Sequence, residues 1–106
     1  ELLDSNLNYI ENLIDLCKAE GIEFVAVSTP KAKESLIAYA DAFEAMDAYF
    51  TEFFGECGVP YVNFNGRTYY KLFSHKIENF TDYDGHMNGD AARSFTRVLA
   101  QVLEEQ

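Results

Sequence analysis

The stretch from Ile22 to Ser28 constrains the fold most. Its centre, Phe24-Val25-Ala26-Val27, is apolar with no polar residue alternating into it. A strand built this way needs cover on both faces, and a parallel sheet flanked by helices supplies it. Thr29-Pro30 ends the strand, because proline cannot continue a central ladder. Pro60 to Phe64 (PYVNF) reads as a second strand, with Asn65-Gly66 as the turn that follows.

Helical periodicity fills the space around these strands. Leu3, Leu7, Ile10, Ile14 and Cys17 recur at steps of three and four, with Leu13 and Leu16 widening the stripe. Asp4 or Ser5 can cap this helix and Gly21 can end it. Residues 31 to 40 read as a loop with one or two helical turns. A helix from about Ala42 to Cys57 follows, and the stripe Tyr39, Phe43, Met46, Phe50, Phe53 and Cys57 is expected to pack in the core. Residues 67 to 87 lack periodicity but are rich in aromatics, and a long irregular segment in a small domain is often functional. Asn88 caps a last helix, roughly 89 to 104, whose inner face is Ala91, Phe95, Val98 and Val102.

The resulting order is α-β-α-β-loop-α. Right-handed crossovers between such elements give a parallel α/β sheet. Two strands are few for a sheet of this class. The expected fold is therefore a partial, doubly wound, three-layer αβα (flavodoxin-like) arrangement in a single domain over residues 1–106, the second half of a larger fold. The chain opens on Glu1 rather than Met, which implies that its natural start has been removed.

Charge narrows the partners. With 106 residues, 18 acidic and 8 basic, the formal charge is −10. That excludes a generic nucleic-acid binder, which needs a positive face for phosphates. It also argues against a polybasic membrane-surface protein. No apolar run is long enough to span a bilayer, and no signal segment is visible, so localisation stays open between cytoplasm and cell envelope. Cys17 and Cys57 fit no metal spacing and read as small hydrophobes.

The chemistry concentrates in Asp82-Tyr83-Asp84-Gly85-His86-Met87-Asn88-Gly89, between the second strand and the last helix. In an open α/β sheet the site lies at the carboxyl ends of the strands. A carboxylate on one ring nitrogen of His86 fixes its tautomer and makes the other nitrogen a base. Asp84, one glycine away, is the favoured partner, with Asp82 in reserve. The same segment does not form an EF-hand: counted from Asp82, the required glycine and glutamate positions hold Met87 and Arg93. His75, in SHK, has no such company and reads as exposed or core-satisfied.

The block Asp84-Gly85-His86-Met87-Asn88-Gly89, followed by Ala91-Ala92 and Phe95-Thr96, resembles the C-terminal histidine block of SGNH (GDSL-like) hydrolases. It is nearest in flavour to the branch with an Asp-x-His-x-Asn pattern, which includes alginate acetyltransferase-like proteins. The resemblance implies a serine-type ester hydrolase or O-acyltransferase acting on small acyl groups such as acetyl, plausibly on carbohydrate, without cofactor or metal. It assigns His86 as general base and Asp84 or Asp82 as its orienting partner. It implies substrate contacts for Asn88 and for Tyr69, Tyr70 and Tyr83. Many members place the aspartate three residues before the histidine, where this chain has Tyr83. No Gly-Asp-Ser or Gly-x-Asn-Asp block is present, and Gly89-Asp90 is followed by Ala91. The nucleophile is therefore expected from a missing N-terminal half, the rest of the sheet from that half or from a second copy in a homodimer, and the chain alone is expected to be inactive. The other reading is a non-catalytic α/β interaction or binding module.

Overall fold

A computed structural model of the protein describes residues 2–82 and 85–106, with side chains from Asp4 onward. The described residues form α1 (Leu2–Ala19), β1 (Ala26–Ser28), α2 (Lys33–Ala38), α3 (Ala40–Glu56), β2 (Tyr61–Asn63), two short 3-10 turns (Tyr70–Leu72 and Ile77–Asn79) and α4 (Gly89–Glu104). β1 and β2 pair in parallel, in the register Ala26 to Tyr61, Val27 to Val62 and Ser28 to Asn63. The chain is thus a mixed α/β protein built on a two-stranded parallel sheet. No helix among the described residues is long and apolar enough to cross a membrane.

The strand segments divide their side chains between two cores, as the absence of alternation predicts. Val25, Val27, Val62 and Phe64 pack with Phe95 and Val102 of α4 and with Tyr69 and Phe73 of the long loop. Phe24, Ala26 and Tyr61 pack on the other side with Ile14 of α1 and Phe54 of α3. Both helices that precede a strand end in the same way. Ile22 N–H returns to Cys17 O and Gly21 N–H to Lys18 O; Val59 N–H returns to Phe54 O and Gly58 N–H to Gly55 O. Each is a Schellman motif with its glycine in the left-handed region.

Several expectations require correction. The regular strands are shorter than the apolar runs: Ile22 to Phe24 leads in as irregular chain, and only three residues on each strand pair. α1 already runs from Leu2, so Asp4 and Ser5 are helical residues rather than caps. On α1, Leu7 and Ile14 are buried but Leu13 and Leu16 are exposed. The stripe on α3 lies only partly in the core: Phe50, Phe53 and Cys57 pack, half-buried, against the cluster of Ile14, Phe54 and Val59. Tyr39 and Met46 stand 65% and 50% exposed, and the buried residue of that helix is Phe54, off the stripe. A two-stranded sheet is too narrow to cover all the aromatics of α3, so part of that face borders an open cleft. α4 follows its pattern, with Ala91, Phe95 and Val102 buried.

Candidate functional site

The segment before α4 is folded back on itself as a closed loop. Phe80 and Met87 form an antiparallel bridge. Thr81 N–H donates to the His86 carbonyl at 2.7 Å and Asn88 N–H to the Asn79 carbonyl at 2.9 Å. Asn88 then caps α4: its Oδ1 accepts from Ala91 N–H at 2.9 Å, while its Nδ2 donates to the Glu78 carbonyl at 2.7 Å. The cap was legible in the sequence, and both ends of this amide serve the loop and the helix.

Within the loop, His86 Nδ1–H donates to Asp82 Oδ2 at 2.6 Å. The same carboxylate accepts from the His86 backbone N–H through Oδ1 at 3.3 Å. Asp82 thus grips the residue twice. With the proton on Nδ1, the basic lone pair of the ring lies on Nε2. The pair is open to solvent, with side-chain exposures of 73% for His86 and 43% for Asp82. Asp84, the favoured partner, and Tyr83 lie outside the described residues.

Gly85 ties this loop to the sheet edge. Its φ is +94°, and a Cβ there would lie 2.6 Å from Cδ of Lys31. Lys31 follows the end of β1, so the His86 loop lies beside the carboxyl end of the parallel pair, where open α/β sheets place their sites. Lys31 is itself held from two sides. Its N–H donates to Asn65 Oδ1 at 2.8 Å, and its carbonyl faces Nδ1 of His75 at 2.8 Å.

His75 is buried. Its Nε2 faces the Tyr70 carbonyl at 3.0 Å, and its ring stacks on Tyr70 with centroids 3.9 Å apart. It is an interior histidine that contacts the Lys31 carbonyl and, through its own carbonyl, accepts from Lys33 N–H at the start of α2. Tyr69 packs into the core against Phe64. Tyr70 borders a separate shallow cleft with Lys33, Phe73 and Lys76. Neither tyrosine lines the cleft between α3 and the strand ends.

That cleft, of about 580 Å³, was not legible in the sequence. It opens between α3 and the carboxyl ends of both strands. Its floor is aromatic: Phe54 and Tyr61 are stacked at 5.5 Å, and Phe50 lies 6.0 and 6.2 Å from them. Its rim is polar. Asn63 Nδ2 donates to Asp47 Oδ1 at 2.8 Å, Asn65 N–H donates to Asn63 Oδ1 at 2.9 Å, and Asn65 Nδ2 donates to the Thr29 carbonyl at 2.9 Å. Burial pushes the Tyr61 phenol up from its ordinary value; the Ser28 hydroxyl hydrogen-bonded to it works in the opposite direction, and Asp47 adds to the rise.

Among the described residues, no group of three or more His, Cys, Asp and Glu side chains is placed to hold a metal ion. Cys17 and Cys57 are free thiols. No protein-family model, curated protein or solved structure matches the chain.

Proposed function

We propose that this chain carries the acid–base half of an SGNH-like ester hydrolase or O-acyltransferase acting on small acyl groups, on a partial doubly wound, flavodoxin-like fold. The observation that supports this most is the 2.6 Å bond from His86 Nδ1 to Asp82, beside the carboxyl edge of a parallel strand pair. Asp82 takes the orienting role that the sequence resemblance offered first to Asp84. It holds the Nδ1–H tautomer and stabilises the charged ring that forms when Nε2 accepts a proton.

In the proposed reaction a serine Oγ attacks the ester carbonyl while its proton passes to His86 Nε2. The bond to the leaving alcohol breaks as Nε2 returns that proton to the departing oxygen. Water, or an acceptor hydroxyl such as that of a sugar, then releases the acyl group through the same two proton transfers. The serine comes from polypeptide outside these 106 residues. An exposed histidine–aspartate pair is weakly coupled in water, and a covering segment that brings the serine would also bury the pair and strengthen it.

Turnover of small acetyl esters tests this reading. The chain alone is expected to show none, because triad members act as a unit. A form that supplies the serine is expected to turn over such esters and to lose at least about a thousandfold on His86→Ala. Activity that survives the substitution contradicts the assignment. A non-catalytic binding module is the second reading, and the aromatic-floored cleft is the observation that favours it.

A further inference from the structure

We propose that the cleft between α3 and the strand ends is a binding site for the apolar chain of an uncharged amphiphile, a medium-length acyl group carried as an ester or amide. The proposal stands on the cleft alone and does not depend on the chemistry of His86. The volume of about 580 Å³ falls within the range of small-molecule sites, roughly 300 to 1,000 Å³. Phe43, Phe50, Phe54, Tyr61, Leu36 and Ile10 make it chiefly apolar. The contacts among Phe50, Phe54 and Tyr61 hold its floor in one shape before any ligand arrives.

The rim selects against charge. Its amides already satisfy one another and Asp47, so they have little to offer a strongly polar head group. Glu44 and Asp47 line the cleft, and the chain carries −10 overall, which repels a carboxylate. Lys31, a cation at the rim, already donates to Thr29 Oγ1 and lies against Gly85. An uncharged ester or amide needs only one or two weak polar contacts at the mouth, with its chain against the rings.

The test is titration of the isotopically labelled chain with N-methylalkanamides from N-methylbutanamide to N-methyloctanamide, read by NMR. These probes are neutral and are not hydrolysed. Affinity is expected to tighten about fourfold for each added methylene, with shifts centred on Phe50, Phe54 and Tyr61. Octanoate is expected to bind more weakly than N-methyloctanamide. Met46, 50% exposed on α3 at the cleft, supplies a variant that leaves the core intact: Met46→Glu is expected to weaken binding at least fivefold with an unchanged melting temperature. Phe50→Leu is a second variant, expected to weaken the longer amides more than the shorter. Affinity that is flat with chain length, equal or tighter binding of octanoate, or shifts away from the cleft would overturn the proposal. So would loss of amide binding on dimerisation, since a second copy would then be the occupant.

Discussion

Gly85 shows how one residue without a side chain can place a functional one. Its φ of +94° is costly for any L residue, and Lys31 fills the space a Cβ would take. Gly85→Ala is expected to cost about 1–3 kcal/mol and to displace the loop that presents His86. A lower melting temperature together with shifted His86 resonances would verify this; an unchanged Tm would count against it. Tyr61 gives a second residue-level expectation, in alkali. Burial raises its phenol above the ordinary tyrosine value. The folded state therefore keeps this proton after the unfolded chain has lost it, and folding stability falls as pH rises above about 10. Ultraviolet titration should show one tyrosine ionising later than the others, and Tyr61→Phe should remove that late step and flatten the alkaline loss of stability. Residue by residue, the histidine and its acidic neighbours were legible because they lie within one short segment. That Asp82 reaches the His86 ring was not legible, since it turns on how the loop closes through Thr81, Gly85 and Met87.

At the scale of elements, α4 was the most legible. Its apolar positions repeat with a clean period, and its cap lies one residue ahead of the helix. Asn88 does two jobs there, so its variants separate them. Asn88→Ala is expected to cost about 1 kcal/mol for the lost cap, plus the bond to Glu78. Asn88→Asp keeps an acceptor for Ala91 N–H but loses the donor to Glu78, and is expected to recover most of the helix stability while loosening the loop. Thermal melts and amide exchange at residues 78–88 would tell the two losses apart; equal melts for both variants would contradict the division. α3 was harder to read. Periodicity marks which side of a helix is apolar, not how much neighbouring structure exists to cover it. Its stripe met a two-stranded sheet, and Met46 and Tyr39 were left at the surface. The cleft was illegible for a related reason: its walls come from α1, β1, α2, α3, β2 and the turn at Asn65, joined only by tertiary packing.

At the scale of the whole molecule, the fold has surface left over. Its radius of gyration is 14.7 Å, against about 13 Å for a compact domain of this length. Tyr9, Leu13 and Leu16 form an exposed apolar stripe on α1, and Ile22 is exposed just beyond it. Contiguous apolar surface of this kind is suited to an interface, and the two short strands leave edges that can pair further. The chain is therefore expected to dimerise at high micromolar concentration, reaching twice its mass of 12.1 kDa. Added salt should favour the dimer, because it screens repulsion between chains of −10 each. Light scattering that reads a constant 12.1 kDa throughout a dilution series in moderate salt would reject this expectation. The central claim, however, is that Asp82 sets His86 up as a base, and the most direct measurement is the tautomer of the His86 ring, read by long-range proton–nitrogen NMR correlation at a pH where the ring is neutral. The account predicts a dominant Nδ1–H form that shifts toward Nε2–H in Asp82→Asn. A wild-type ring already in the Nε2–H form, the one imidazole prefers in water, or one indifferent to the substitution, would contradict it.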